Sequence, residues 1–169
     1  DYAEELWAKG QRVQDALTRL GGSHVQVEEI LGASQPLHYR NKSQYPVSPD
    51  GKVGFYRART HCVTDLTACF IQKPQADAAA GALRTYLAEY RVPGYDEQTG
   101  TGLVRHLYVR TNASGQSLLC VVVNGEALPH EDALVSALRR AVPDAVGVVL
   151  GVNTRRDNVI LGDRYRTLW

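Results

Sequence analysis

Cationic and aromatic side chains alternate closely between His38 and Cys62. This segment holds one acidic residue, Asp50, and five cations: Arg40, Lys42, Lys52, Arg57 and Arg59. The aromatic and imidazole rings among them are His38, Tyr39, Tyr45, Phe55, Tyr56 and His61. Cations bind phosphates and flat rings stack on unpaired bases, so the composition is typical of a surface for single-stranded RNA. The alternative is a solvated edge hairpin that Lys and Arg protect from mispairing.

The other reactive residues do not form a familiar catalytic or metal-binding pattern. Cys62 and Cys69 have no third ligand at the spacing of a closed zinc site. His61 and Cys62 are adjacent, and neighbours on a strand point apart, which disfavours a cysteine enzyme contained within this chain. Three cysteines without a secretory signal argue against a disulfide framework and favour a reducing, cytoplasmic location.

The only closely spaced glycines are Gly100 and Gly102, and Arg105 stands where a third would complete a dinucleotide fingerprint. They precede an expected strand, whereas such a fingerprint follows a strand and opens a helix. The pattern therefore indicates an ordinary loop, and we expect no cofactor-binding domain here.

The elements that would hold these side chains are strands clustered in hairpins, with single helices between them. Periodicity predicts helices over 1–20, 76–91 and 130–141. Strands are expected at 25–27, 39–47, 52–59, 103–111, 117–123, 146–152, 158–161 and 165–168. This order indicates an α+β fold with a mostly antiparallel sheet and about three helices.

The basic segment itself is predicted to be a hairpin. Ser48-Pro49-Asp50-Gly51 has turn chemistry and would join the strands 39–47 and 52–59. Because strand faces alternate, Arg40, Lys42 and Gln44 would share one face.

Length and composition set outer limits. The chain has 169 residues and a net charge of +1, so any nucleic-acid role must come from a local patch. No apolar run is long enough for a membrane span. The chain opens on Asp1 without Met and ends within an expected strand, so we expect a fragment of a larger protein.

Five segments, in order, resemble the 23S ribosomal RNA uracil-5 methyltransferases. Three lie in the central region of that family: 36–47 (PLHYRNKSQYPV), 54–61 (GFYRARTH) and 63–72 (VTDLTACFIQ). The other two resemble its next strand and the run leading into its catalytic domain: 103–110 (LVRHLYVR) and 152–162 (VNTRRDNVILG). Each segment is modestly specific, but the ordered set covers nearly the whole chain.

The resemblance implies a parent enzyme of three parts: an N-terminal RNA-binding barrel, a central α+β domain and a C-terminal methyltransferase domain. Such enzymes transfer a methyl group from S-adenosylmethionine to C5 of a flipped-out uridine, after a cysteine attacks C6. Many also hold a [4Fe–4S] cluster on four cysteines. Three of these precede a helix like 1–20, and the fourth stands where Cys69 is here.

Residues 1–169 then correspond to the central, RNA-positioning domain and end at the start of the catalytic domain. The barrel, the three-cysteine run, the catalytic cysteine and the base have no counterpart here, so we expect no catalytic residue, no cofactor and no activity in this piece alone. Cys69 would be one cluster ligand in the parent or, alternatively, a buried structural thiol. The residues expected to contact ribosomal RNA are Arg40, Lys42, Gln44, Tyr56, Arg57, Arg59, His61, Arg105 and His106.

Two other functions fit the sequence. One is the equivalent piece of a tRNA uridine-C5 methyltransferase, and the other is a non-enzymatic scaffold whose basic hairpin is merely solvated. Arg105 and His106 could also brace the sheet rather than contact RNA.

Overall fold

The computed structural model describes all 169 residues and has two compact units, 1–37 and 38–169. In the first unit, helix α1 (Tyr2–Asp15) continues as a π-helical turn, Ala16–Leu20, which confirms the predicted helix. The predicted strand at 25–27 is wrong. The Gln14 side chain donates to the Val25 carbonyl and accepts from the Val27 amide, so the backbone there bonds to a side chain instead of a neighbouring strand.

The second unit holds two helices and seven strands. The strands are β1 (Lys42–Pro46), β2 (Gly54–Tyr56), β3 (Val63–Asp65), β4 (Val104–Thr111), β5 (Ser117–Val123), β6 (Ala145–Val152) and β7 (Arg164–Thr167). Helix α2 (Pro74–Glu89) lies between β3 and β4, and α3 (Glu131–Ala141) between β5 and β6. These helices and the β4–β5 hairpin confirm three predictions.

Five strands form one sheet in the order β1-β4-β5-β6-β7, while β2 and β3 pair in a separate small sheet. The β5–β6 pair is parallel because α3 carries the chain back across the sheet, and the other pairs are antiparallel. The fold is α+β as predicted, and the large sheet is mixed, with one parallel pair among mostly antiparallel ones.

The hydrophobic core lies between one face of the large sheet and the two helices α2 and α3. Leu107, Leu119 and Leu150 of the sheet are fully buried there, together with Leu83 of α2 and Leu134 of α3. The opposite face of the sheet carries neither helix; Arg110 and Leu118 are exposed on it, whereas His106, Cys120 and Val122 are buried.

The predicted hairpin of 39–47 with 52–59 is wrong. Strand β1 pairs with β4 and β2 pairs with β3, and only a single bridge, Val47 with Val53, joins the two segments. Pairing with β4 buries Tyr45, whose hydroxyl donates to Asp77 of α2 at 2.6 Å. The β2–β3 pair is so close that a Cβ at Gly54 would lie 1.9 Å from the Thr64 carbonyl oxygen.

The predicted strand at 158–161 is also wrong. The side-chain nitrogen Nδ2 of Asn153 donates to the carbonyls of Val159 and Ile160, which holds this segment as a loop. The strand expected at 165–168 is confirmed as β7. No helix combines the length and the apolar character that crossing a membrane requires.

Candidate nucleic-acid interface

An open cavity of about 690 Å³ lies beside the small β2–β3 sheet. Its lining brings together five of the nine residues predicted to contact RNA: Tyr56, Arg57, His61, Arg105 and His106. The remaining four are Arg40, Lys42, Gln44 and Arg59, which do not line it. A cavity of this size is large enough for a nucleotide.

Tyr56 and His61 form one wall of the cavity and are held together by Glu97. The Tyr56 hydroxyl donates to Glu97 Oε1 at 3.2 Å, and His61 Nδ1 pairs with Glu97 Oε2. The two rings lie 5.2 Å apart between centroids, tilted by 33°. Burial, followed by the Glu97 charge, raises the pKa of Tyr56 to about 12, so its hydroxyl stays a hydrogen-bond donor.

Arg105 is buried and makes its contacts within the protein. Its Nη1 donates to the carbonyls of Asn153 at 2.8 Å and Arg155 at 2.6 Å. The guanidinium carbon lies 4.3 Å from the centre of the Tyr95 ring, a cation–π contact. Arg105 therefore braces the loop after β6 against the cavity.

His106 lines the cavity and is uncharged at neutral pH. It is only 6% exposed, and its Nδ1 has no hydrogen-bond partner. Burial, then the neighbouring Arg105 charge, lowers the pKa of His106 to about 4. At neutral pH the ring can donate from one nitrogen and accept at the other, but it carries no charge for a phosphate.

Arg57 and Arg59 lie on the turn that joins β2 to β3 rather than on a strand. The turn closes through Thr60 N to Arg57 O at 3.0 Å and Arg57 N to Cys62 O at 2.9 Å. Both arginines are exposed, and neither side chain has a hydrogen bond or an acidic partner. Their charge is available to an anion from solvent.

Arg40, Lys42 and Gln44 lie along the edge of the large sheet. Ser43 and Tyr45 are buried towards α2, so Lys42 and Gln44 face the other way, as the alternation predicted. Arg40 precedes β1 and forms a parallel bridge with Gln72. Arg40 and Lys42 are exposed and have no acidic partner.

Cys69 is partly exposed, and its backbone amide donates to Asp77 Oδ2 at 2.8 Å. Cys62 is exposed beside the cavity, and Cys120 is buried, with burial raising the pKa of its thiol to about 11. No group of three or more His, Cys, Asp or Glu side chains is placed to hold a metal ion. The residues present therefore do not form a site for an iron–sulfur cluster.

The residues also do not fit adenosylmethionine. Gly100 and Gly102 lie in a turn before β4, and Lys73 and His130, rather than a glycine loop, precede α2 and α3. Glu97 and Tyr95 are parts of the cavity that sequence reasoning missed. Both precede the Gly100–Gly102 turn and carry no motif of their own.

The fold is similar to that of a solved RNA-modifying enzyme. The crystal structure of Pyrococcus abyssi tRNA (uracil-54, C5)-methyltransferase in complex with S-adenosyl-L-homocysteine matches 98% of this chain, with a TM-score of 0.73 and 19% sequence identity. The match covers 38% of that enzyme. At this identity, the likeness shows a shared fold.

The chain is more similar in sequence to proteins named "uncharacterized RNA methyltransferase" than to that enzyme. The protein from Clostridium tetani is 40% identical over 99% of this chain, and one from Listeria monocytogenes is 38% identical over the same share. A Clostridium acetobutylicum relative is 35% identical. The chain spans only 37–38% of the length of these relatives. No family model matches the chain.

Proposed function

We propose that residues 1–169 are the central, RNA-positioning section of an S-adenosylmethionine-dependent RNA (uracil-5-) methyltransferase that modifies 23S ribosomal RNA. The observation that carries the proposal is a local group of four exposed cations between His38 and Cys62 that have no acidic partner, which we call the free cations: Arg40, Lys42, Arg57 and Arg59. Similarity over 99% of the chain to proteins named RNA methyltransferases supports the assignment.

In this proposal the free cations bind RNA phosphates, since guanidinium groups match phosphate geometry and their charge is not neutralised internally. Gln44, Tyr56 and His61 contact bases or riboses, and Arg105 and His106 form the inner part of the cavity. The chain supplies no catalytic residue. Adenosylmethionine and the groups that attack and deprotonate the uridine belong to the rest of a longer protein.

Cys69 has a second proposed role, as one of four ligands to a [4Fe–4S] cluster of the longer protein. Cys69 is partly exposed and its backbone amide donates to Asp77, which agrees with a ligand whose partners lie outside this section.

A gene deletion tests the proposed activity and substrate together. We expect 5-methyluridine, mapped by nucleoside mass spectrometry, to be lost from 23S rRNA and unchanged in tRNA. The wild-type gene should restore it, and a gene with all four free cations changed to Gln should restore much less. Loss from tRNA alone would reassign the substrate. Unchanged 5-methyluridine in both RNAs would contradict the enzyme proposal and favour a scaffold.

A further inference from the structure

The face of the large sheet opposite the helices carries three cross-strand pairs where β1 meets β4. Three pairs lie directly opposite one another on that face: Lys42 with Arg110, Gln44 with Tyr108, and Pro46 with His106. Backbone hydrogen bonds run from Thr111 N to Asn41 O and from Val47 N to Arg105 O, so these two pairs are hydrogen-bonded pairs. Hydrogen-bonded and non-hydrogen-bonded pairs alternate along an antiparallel ladder. All three pairs are therefore non-hydrogen-bonded pairs, whose Cα atoms approach to about 4.5 Å.

The first of these pairs joins two like charges. Lys42 and Arg110 are both exposed, and neither has a hydrogen bond or an acidic partner. Like charges directly opposite on neighbouring strands destabilise a sheet. An anion bound between them would remove that repulsion.

The next pairs continue along the strands towards the cavity. Tyr108 is half-buried, and its hydroxyl makes no hydrogen bond within the chain. His106, one pair further, lines the cavity already described. Alternate residues of a strand are about 7 Å apart, so the three pairs form a row of cations, ring and imidazole.

We propose that Arg110 and Tyr108 contact RNA, and that a single strand of RNA crosses β1 and β4 on this face on its way to the cavity. One phosphate lies between Lys42 and Arg110, and the neighbouring base or ribose packs on Tyr108. The occupant is inferred from charge complementarity, because two opposed cations without acidic partners attract an anion and an aromatic ring beside them suits an unpaired base. This inference rests on the proposed function.

Fluorescence anisotropy of the 169-residue chain with a labelled single-stranded RNA oligonucleotide, measured across salt concentrations, tests it. Arg110→Gln should weaken binding about tenfold at low salt and reduce the salt slope by at most about 0.7, the value for one phosphate contact on a single strand, because Lys42 still faces the same phosphate. Arg140→Gln is the matched control, because Arg140 is an exposed arginine of α3 without an acidic partner. Tyr108→Leu should weaken binding with the slope unchanged.

The outcomes separate the two proposals. If the wild-type chain binds no RNA, both this inference and the RNA-positioning function fail. If the wild-type chain binds and Arg110→Gln matches Arg140→Gln, only the inference fails. Binding of a protein at this face in place of RNA would likewise overturn the inference.

A measurement without RNA excludes a purely structural role for Arg110. Because neutralising one of two opposed cations relieves repulsion, the free Arg110→Gln chain should melt at the same temperature as wild type or higher. Inorganic tripolyphosphate should then raise the melting temperature of wild type more than that of Arg110→Gln. A lower melting temperature of the free variant, or equal shifts with tripolyphosphate, would overturn the inference.

Discussion

The cations of strand β7 and the free cations are chemically alike but differ in their surroundings. Arg164 makes two bonds to Glu126, at 2.7 and 3.1 Å, and Arg166 makes two to Glu131, at 2.5 and 3.0 Å. The four free cations have no carboxylate within reach. The contact with Arg166 also holds the pKa of the Glu131 carboxyl below its usual value.

The difference shows that a net charge of +1 is compatible with a local group of cations that no acidic residue neutralises. Acidic residues neutralise the arginines near the end of the chain, and the cations around β1 and the β2–β3 turn are left to attract an external anion. Residue type alone does not separate the paired arginines of β7 from the free cations. The positions of the acidic residues separate these two groups.

Arg105 is the extreme case of a cation used internally. Arg105→Met would leave the Asn153 and Arg155 carbonyls without their donor, and we expect the free energy of unfolding in urea to fall by about 3 kcal/mol. The exposed Arg57→Met should change it by less than about 0.5 kcal/mol. Equal losses in the free energy of unfolding for the two variants would contradict the distinction between Arg105 as a bracing cation and Arg57 as a free cation.

His106 is buried like Arg105, but it stays neutral where Arg105 is charged. Its pKa is about 4 in the folded chain and 6.5 when unfolded, so the unfolded state takes up the proton first as the pH falls. His106 therefore leaves the free energy of unfolding undiminished above pH 6.5. As the pH falls from 6.5 to 4, protonation of the unfolded state lowers that free energy by up to about 3 kcal/mol. Urea unfolding across this range should show a flatter profile for His106→Gln. Parallel profiles would contradict the assignment.

Neutralising all four free cations to Gln should weaken binding of single-stranded RNA more than about a hundredfold, or about 2.7 kcal/mol. The salt slope should fall by about 2.8, since each phosphate contact contributes about 0.7. A control with the same change in net charge carries Gln at Arg91, Arg140, Arg164 and Arg166. If this control loses as much affinity, binding depends on total charge and the free cations have no special role.

The smallest effect is expected from releasing the paired arginines. Glu126→Gln with Glu131→Gln raises the net charge by two and frees Arg164 and Arg166, yet we expect RNA affinity to change less than about threefold. The melting temperature should fall slightly, because exposed ion pairs contribute little to stability. An affinity gain comparable to the loss in the four-cation variant would show that cations anywhere on the surface suffice.

Local patterns predicted the parts of the fold that depend on local contacts. Helices α2 and α3 follow from apolar periodicity, and the β4–β5 hairpin follows from two apolar runs around a short polar turn. The concentration of cations and rings between His38 and Cys62 likewise stands out in composition, and five predicted contacts do line one cavity.

Distant pairings could not be predicted in the same way. Tyr45 lies opposite Leu107, and nothing near Tyr45 in sequence distinguishes that partner from the nearby 52–59 segment. The same holds for Glu97, which joins Tyr56 to His61, and for Arg110, whose proposed role depends on lying opposite Lys42. These features depend on tertiary contacts that alternation and turn chemistry do not specify.

Mapping the RNA contact by photocrosslinking tests the central claim most directly. Thiouridine-labelled single-stranded RNA would be crosslinked to the 169-residue chain and the modified peptides identified by mass spectrometry. We predict crosslinks within 38–62 and 104–111, which hold the free cations, the cavity and the β1–β4 face. Crosslinks confined to 131–141 and 164–167, where α3 and the paired arginines lie, would contradict the account.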